Sequence, residues 1–407
     1  MVNKITFTNY KIFNSEQCIE LAPMTILIGK NSSGKSAFAK LPTLIAGSLS
    51  GSFNEPFRWE NEGILLGNSY LDLNHEKDTT GDFEFKLELE NKIFLHIYII
   101  FGENQLTVRS WNYNNEFKAQ YHFKEKLYSI NDSTRLYDCK FKGFLLESIV
   151  DFEGEIPSLT DFSFEFDYVC SYRVEPKDIK EDQPKEKNIK KIGIDGKHAY
   201  EILINDYIYS DGQLLNKVSN WYKEVFENWE VNIDRDTQRN KFYFELKREL
   251  KRETPRLFTT SLDNVGQGMS QILPLITKSF IEEEKPSLTI IEEPELHLHP
   301  SAHGNLAERF AESLIDANKR YLIETHSENF ILRLRRLIAE SKYPYFTEQN
   351  LKIYYVDYEE DLNESFLRDI KIDSFGEVYD WPDGIFSDSF DEVFAIRKAQ
   401  KLKKDVS

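Results

Sequence analysis

Two stretches carry residues whose types and order can do phosphate chemistry. Pro23–Ser36 reads PMTILIGKNSSGKS, and its last eight residues, Gly29-Lys30-Asn31-Ser32-Ser33-Gly34-Lys35-Ser36, fit GxxxxGK(S/T) at every fixed position. The two glycines let the backbone fold so that successive N–H groups point inward at the α- and β-phosphates, aided by the N-terminal dipole of the helix that follows. Lys35 then reaches the β- and γ-phosphates of ATP, and the Ser36 hydroxyl becomes a ligand of Mg²⁺. Far downstream, Ser287–Glu293 (SLTIIEE) is an apolar run ended by two acids, the place where such a site needs a metal-holding and a water-orienting carboxylate. Glu292 would face the metal and Glu293 the water.

Three histidines follow at once in TIIEEPELHLHPSAH: His297, His299 and His303. They could be half of a metal site, but zinc needs further ligands in tetrahedral array, and an H-x-H step without partner cysteines is a weak version of it. The competing reading is a connecting loop. A fourth histidine, His326, stands just past the apolar run of YLIETHS (Tyr321–Ser327).

These groups need elements to position them. Met24–Ile28 is a β-branched, apolar strand feeding the phosphate loop, and a helix should run from Lys35 to about Leu41, break at Pro42 and resume. Leu288–Ile291 reads as a buried strand with both acids at its C-terminal end, where α/β sheets bind ligands. Well over half the chain separates Lys35 from Glu292. That is too far for a compact domain whose strands follow one another closely, so a large insertion must divide one core into two halves.

With that division, the sequence resembles the ABC-type ATPases of the SMC, RecF and OLD (overcoming-lysogenization) group, whose first lobe carries the phosphate loop and whose second carries the other motifs. The fold this implies is α/β: a two-lobed P-loop ATPase head with an antiparallel β subdomain, a RecA-like parallel sheet and a helical or lid insertion. The resemblance makes Asp263-Asn264-Val265-Gly266-Gln267-Gly268-Met269-Ser270-Gln271, before the apolar Ile272–Ile276, the signature segment that closes on ATP held by a second head. Gly266 and Gly268 would permit close backbone approach and Ser270 would donate to phosphate, although the segment departs from the ABC consensus of Leu-Ser-Gly-Gly-Gln. His326 would be the switch histidine that senses the γ-phosphate, and PELHLHP the loop at the head–head interface. Glu292 stands where most such ATPases carry Asp.

The resemblance also divides the chain: residues 1–165 as the N-terminal lobe, 166–250 as the lid region, 251–345 as the C-terminal ATPase lobe and 346–407 as a small extension. Residues 50–250 show no sustained heptads, so the coiled-coil arm of SMC proteins is not expected. Phe83–Trp111 alternates over two or three strands with turn signals at Glu90–Lys92 and Gly102–Asn104, and should complete the antiparallel sheet with a strand over Ile5–Phe13. Tyr168–Arg173, Ile192–Lys197 and Val218–Phe226 resemble the lid of a bacterial branch of these ATPases. There Arg173 could approach phosphate or form a structural salt bridge. Glu175–Lys191 is polar and charged and reads as a mobile loop. Asp373–Asp388 resembles a small C-terminal domain in the same branch, with Trp381-Pro382-Asp383-Gly384 as a turn carrying an aromatic anchor. The residues after His326 are too few for a Toprim nuclease domain.

Composition limits the rest. The 407 residues are 40% hydrophobic with 30 Phe and 21 Tyr, ample for a core. The N-terminus MVNKITFTNYKIF lacks a signal-peptide pattern, and the longest apolar run, Ile93–Phe101, falls far short of the roughly 20 residues that span a bilayer. That run length leads to the expectation of no membrane, and Cys18, Cys139 and Cys170 show no paired spacing, which fits a reducing cytoplasm. A net charge of -18 repels phosphate backbones, so any contact with DNA must be local, at Lys247, Arg248, Lys251, Arg252 and Arg256 or at Arg397, Lys398, Lys401, Lys403 and Lys404. By analogy with stand-alone bacterial members of the group, the expected role is a homodimeric, ATP-driven switch in anti-phage defence beside a separately encoded nuclease or toxin. A RecF-like DNA-repair factor is the alternative.

Overall fold

The structure, a computed structural model, describes residues 1–78, 81–102, 105–174, 189–238, 241–250 and 256–382. Met24–Gly29 is buried at every position and is the fourth strand of a seven-stranded sheet. The order across that sheet is Glu165–Val169, Ser287–Glu292, Lys319–Glu324, Met24–Gly29, Leu351–Glu359, Glu364–Ile372 and Val378–Tyr379. The first five run parallel, Glu364–Ile372 turns back antiparallel, and Val378–Tyr379 pairs antiparallel to it. Parallel strands are covered on both faces, which is why these segments read as near-continuous apolar runs.

Alternation along each strand divides its side chains between two cores. Met24, Ile26, Ile28, Ile291, Ile323 and Ile353 pack with residues of the helices His198–Tyr209, Gln213–Val225, Leu273–Phe280, Pro300–Ser313 and Glu328–Ala339. Leu27, Leu288, Ile290, Leu322, Tyr354 and Val356 pack the other way, against the helix Leu41–Leu49 and a second, antiparallel sheet. That eight-stranded sheet runs Leu136–Tyr137, Leu127–Ile130, Phe117–His122, Gln105–Tyr113, Phe94–Gly102, Phe83–Glu88, Lys4–Thr8 and Gln17–Glu20. It contains the strands expected over Phe83–Trp111. The expected strand Ile5–Phe13 is shorter: it stops at Thr8, because Asn9 (φ 57°) and Lys11 (φ 55°) take left-handed backbone and turn the chain.

The helix after the phosphate loop breaks at Lys40, two residues before the expected Pro42, with Lys35–Ala39 followed by Leu41–Leu49. Pro42 sits in the first turn of the second piece, where a missing N–H breaks no intrahelical bond. Phe38 is wholly buried on Phe7 and Phe13, so the helix that presents Lys35 and Ser36 is anchored to the antiparallel sheet.

Two expected boundaries differ from the structure. Residues 346–382 are not appended to the core: Leu351–Glu359 pairs along the whole of Met24–Gly29, with Ile353 opposite Ile26 and Val356 opposite Gly29. Glu165–Val169 is no lid segment but the edge strand beside the acid strand, with Tyr168 opposite Ile290. Five residues are too few for periodicity to assign such a strand to a sheet. The helices His198–Tyr209 and Gln213–Val225 and the three-stranded sheet Glu230–Asp236, Lys241–Leu250, Arg256–Ser261 fill the rest of the insertion. The loop expected over Glu175–Lys191 falls largely outside the described residues, as do Asp383, Gly384 and the basic run from Arg397.

Candidate functional site

The phosphate loop is shaped by its neighbours. A Cβ at Gly29 would stand 2.5 Å from the Val356 carbonyl oxygen and 2.9 Å from Ser33 Oγ, so the strand Leu351–Glu359 closes the back of the loop and only glycine fits. Ser32 (φ 64°) and Gly34 (φ 96°) are left-handed, and Ser365 Oγ donates to the Ser33 carbonyl at 2.7 Å. Lys30, Asn31, Ser32 and Ser36 remain exposed along the loop. Lys35 points inward: its ammonium donates to the carbonyls of Gly29 (3.1 Å) and Lys30 (2.7 Å) and lies 4.0 Å from Glu324 Oε1. Burial holds the Lys35 pKa below its ordinary value, against the opposing pull of Glu324 and Glu293.

Ser36 Oγ donates to Glu324 Oε1 at 3.1 Å, whereas Glu324 Oε2 is buried with no hydrogen-bond partner. Burial pushes the Glu324 carboxyl up to about 7; Ser36 and Lys35 oppose the rise, and Glu292 and Glu293 add to it. Glu293 follows the acid strand with a left-handed φ of 41°, and its N–H donates to the Glu324 carbonyl at 2.8 Å. Its carboxylate acts electrostatically on Lys35, Glu324 and His326. Glu292 accepts from Tyr168 Oη and, at 3.4 Å, from the Ser171 N–H. Parallel register sets Glu292 opposite Glu324 and Glu324 opposite Leu27. Glu324 therefore meets the phosphate loop directly, Glu293 acts on its Lys35, and Glu292 stands on the next strand with its carboxylate turned to Tyr168 and Ser171.

The loop after the acid pair is tied to the loop carrying His326. Glu295 Oε1 accepts from the His326 N–H at 2.7 Å. His303 pairs with Ser327 Oγ (2.7 Å) through Nδ1 and with the Leu298 carbonyl (3.2 Å) through Nε2, and His299 caps its own helix by accepting from the Ser301 N–H at 3.3 Å. These bonds suit the connecting-loop reading of the histidines, and among the described residues no three His, Cys, Asp or Glu side chains form a metal-holding group. Burial and then Lys35 lower the His326 pKa, which favours the neutral ring.

In sequence, residues 1–331 match the family model described as the AAA ATPase domain. The chain belongs to this family. Among solved structures, this ATPase is similar to an SMC head domain from Thermotoga maritima, at 12% identity and a TM-score of 0.41, over 91% of this chain and 99% of that one. An SMC head with an extended coiled coil bound to the C-terminal domain of ScpA, from Pyrococcus furiosus, matches at 10% identity and 0.46 over 100% and 99%. An SMC head with a coiled coil and joint from Pyrococcus yayanosii matches at 9% identity and 0.45 over 91% and 97%. No curated protein matches the chain.

Within this ATPase, the sequence-derived candidates fall into two groups. Lys35, Ser36, Glu293 and His326 converge, and Glu292 stands beside them with its carboxylate turned toward Tyr168 and Ser171. The signature segment is different. Gly266 and Gln267 are exposed, but the Ser270 hydroxyl is buried and donates to the Gln267 carbonyl at 3.2 Å, so in this conformation it is spent inside its own turn rather than offered to a phosphate. Gly268 is required by close packing, since a Cβ there would stand 2.4 Å from the His297 carbonyl oxygen.

Sequence reasoning missed Glu324, which stands two residues before His326. Its signal was an acid ending an apolar run, the same feature that singled out Glu292. It missed Tyr168 as well, and it left Arg173 between phosphate and a salt bridge. The structure instead turns the Arg173 guanidinium to the carbonyls of Glu292 and Glu293, both at 2.9 Å.

Proposed function

We propose that this ATPase is a nucleotide-driven switch in which two heads close on shared ATP. The observation that carries the reading is the convergence of Lys35, Ser36, Glu324, Glu293 and His326 at one edge of the parallel sheet. The loop Gly29–Ser36 would bind the phosphates, with Lys30, Asn31, Ser32 and Ser33 supplying backbone donors and Lys35 the charge. Mg²⁺ fits the donor set: a hydroxyl, a buried carboxylate oxygen without a partner and the phosphates themselves are the hard oxygen ligands it takes. Ser36 and Glu324 would hold it, with Glu292 bound to the outer side of the cluster, and the ion would neutralise phosphate charge.

Glu293 would accept the proton of the attacking water, and the neutral His326 ring, on a backbone whose N–H is held by Glu295, would donate to or accept from the γ-phosphate edge. The exposed turn Gly266–Gln267 would meet the partner's ATP. Since a ligand with equal affinity for open and closed states shifts nothing, the nucleotide must touch both heads.

The role we favour is the cytoplasmic sensor of an anti-phage defence system, acting with a separately encoded nuclease or toxin; this part rests on analogy with the resembled group. The RecF-like alternative draws less support, because Lys247 and Arg248 are engaged with Glu245 (3.7 Å) and Glu227 (3.4 Å). Glu293→Gln tests the engine: it should bind ATP, lose about 10²- to 10⁴-fold in turnover and accumulate dimers in light scattering. A variant that hydrolyses ATP at the wild-type rate refutes the assignment of Glu293. Phage plating on cells carrying the gene with its genomic neighbours, as wild type or Lys35→Ala, tests the defence role, and DNA affinity that falls steeply with salt would favour repair instead.

A further inference from the structure

Tyr168, Ser171 and Arg173 come from the end of one edge strand and the turn after it, and all three hold the tip of the acid strand. Arg173 is 0% exposed, among the largest fully buried side chains of the protein. Burial lowers its pKa to about 10, so it stays charged at neutral pH. A buried guanidinium is costly unless its partners are well placed. Arg173 has unusual ones: Nη2 donates to the carbonyls of both Glu292 and Glu293, and Nε and Nη1 have no hydrogen-bond partner. An arginine kept to neutralise a neighbour would grip a carboxylate. This one grips the backbone on either side of the acid pair.

The grip falls where the backbone needs it. Glu293 is held in left-handed conformation (φ 41°), an uncommon state for a residue with a Cβ that persists only when its surroundings fix it. Three contacts fix it here: its N–H on the Glu324 carbonyl, and its own carbonyl on Arg173 and, at 3.1 Å, on the Leu296 N–H. Together they set the direction in which the Glu293 side chain leaves the sheet. Tyr168 does the same for the other acid by donating to Glu292 Oε1, while burial and Glu292 itself raise the phenol pKa far above the ordinary value and keep it a donor.

We infer that Arg173 is a positioning residue for the water-activating carboxylate of Glu293, with Tyr168 in the corresponding role for Glu292. The inference rests on Glu293 as the base. Misplacement of a reacting group by about 1 Å can cost about 10²-fold in rate, and loss of an outer partner of a site about 10- to 100-fold. Arg173→Lys and Tyr168→Phe in the full-length protein should therefore lose about 10- to 100-fold in single-turnover hydrolysis while ATP affinity, read by equilibrium binding, stays at the wild-type value.

The double variant Arg173→Lys/Glu293→Gln should be no slower than Glu293→Gln alone, because residues that act through one another are not additive. A merely structural arginine would weaken ATP binding in step with turnover and would slow the double variant further; either result overturns the inference. Should Arg173→Lys fail to fold, Arg173→Met, which keeps the length and removes the donors, takes its place; wild-type turnover in it overturns the Arg173 assignment, and wild-type turnover in Tyr168→Phe overturns that of Tyr168. If Glu293→Gln turns over like wild type, the base assignment has failed; if it is inactive while both other variants are unimpaired, only the positioning inference has.

Discussion

Replacing Glu324 by Gln should stabilise the nucleotide-free protein at pH 8. Glu324 is raised from an ordinary 4.5 to about 7, and its side chain is 4% exposed, so solvent screens it little. At about 1.4 kcal/mol per pH unit that gap is worth roughly 3 kcal/mol. Below pH 4.5 the folded and unfolded chains both hold the proton, and the group costs nothing. As pH rises toward 7 the unfolded chain releases its proton while the folded one keeps it, so stability falls across that window and is level above it. Gln imitates the protonated form and removes the slope. With an unfolding entropy of about 2.1 cal/mol/K per residue over 407 residues, the variant should melt roughly 3 to 4 °C higher at pH 8 and at the wild-type temperature near pH 4.5. The assay is thermal melting in chelator across pH 4.5–8. Added ATP and Mg²⁺ should then raise the wild-type melting temperature more than that of the variant, because Glu324 would take part in holding the metal. Equal melting at pH 8, or a lower value for Gln, refutes the reasoning that the carboxylate is buried at a cost.

Lys35→Ala should weaken ATP binding about 10- to 100-fold in equilibrium binding, since it removes a charged donor worth about 1.5–3 kcal/mol. Gly34→Ala forces a Cβ to φ 96° and to within 2.5 Å of Ile12 Cγ2, so it should cost about 1–3 kcal/mol in urea unfolding and weaken ATP binding through the distorted loop. Phe38→Ala, a wholly buried ring between Phe7 and Phe13, should cost about 3–5 kcal/mol, measured the same way.

The phosphate loop and the acid strand were legible because their chemistry demands fixed residue types at fixed spacing next to apolar runs, and a parallel strand buried on both faces leaves just such a run. That an insertion divides the core was legible from their separation, and the two-lobed plan from the resemblance to ABC-type ATPases. What the sequence hid were partners set by pairing across the sheet. Nothing near Leu351–Glu359 marks it as the neighbour of Met24–Gly29, yet its Val356 carbonyl is what makes Gly29 obligatory. Glu324 ends an apolar run just as Glu292 does, and only the register that sets Lys319–Glu324 between the acid strand and the loop strand brings its carboxylate onto Ser36.

Arg173 shows why this limit is physical. In YVCSYR it looks like any arginine at the end of a short strand, and an arginine by type belongs on the surface. Its burial follows from the strand Glu165–Val169 lying parallel to the acid strand, which carries the next residues past the tip where Glu292 and Glu293 turn away from the sheet. Carbonyls that leave a sheet need donors, and a buried one left without a donor costs more than a neutral bond returns. One guanidinium nitrogen donates to both carbonyls, sharing that of Glu293 with the Leu296 N–H, and it does so where the direction of the Glu293 side chain is decided.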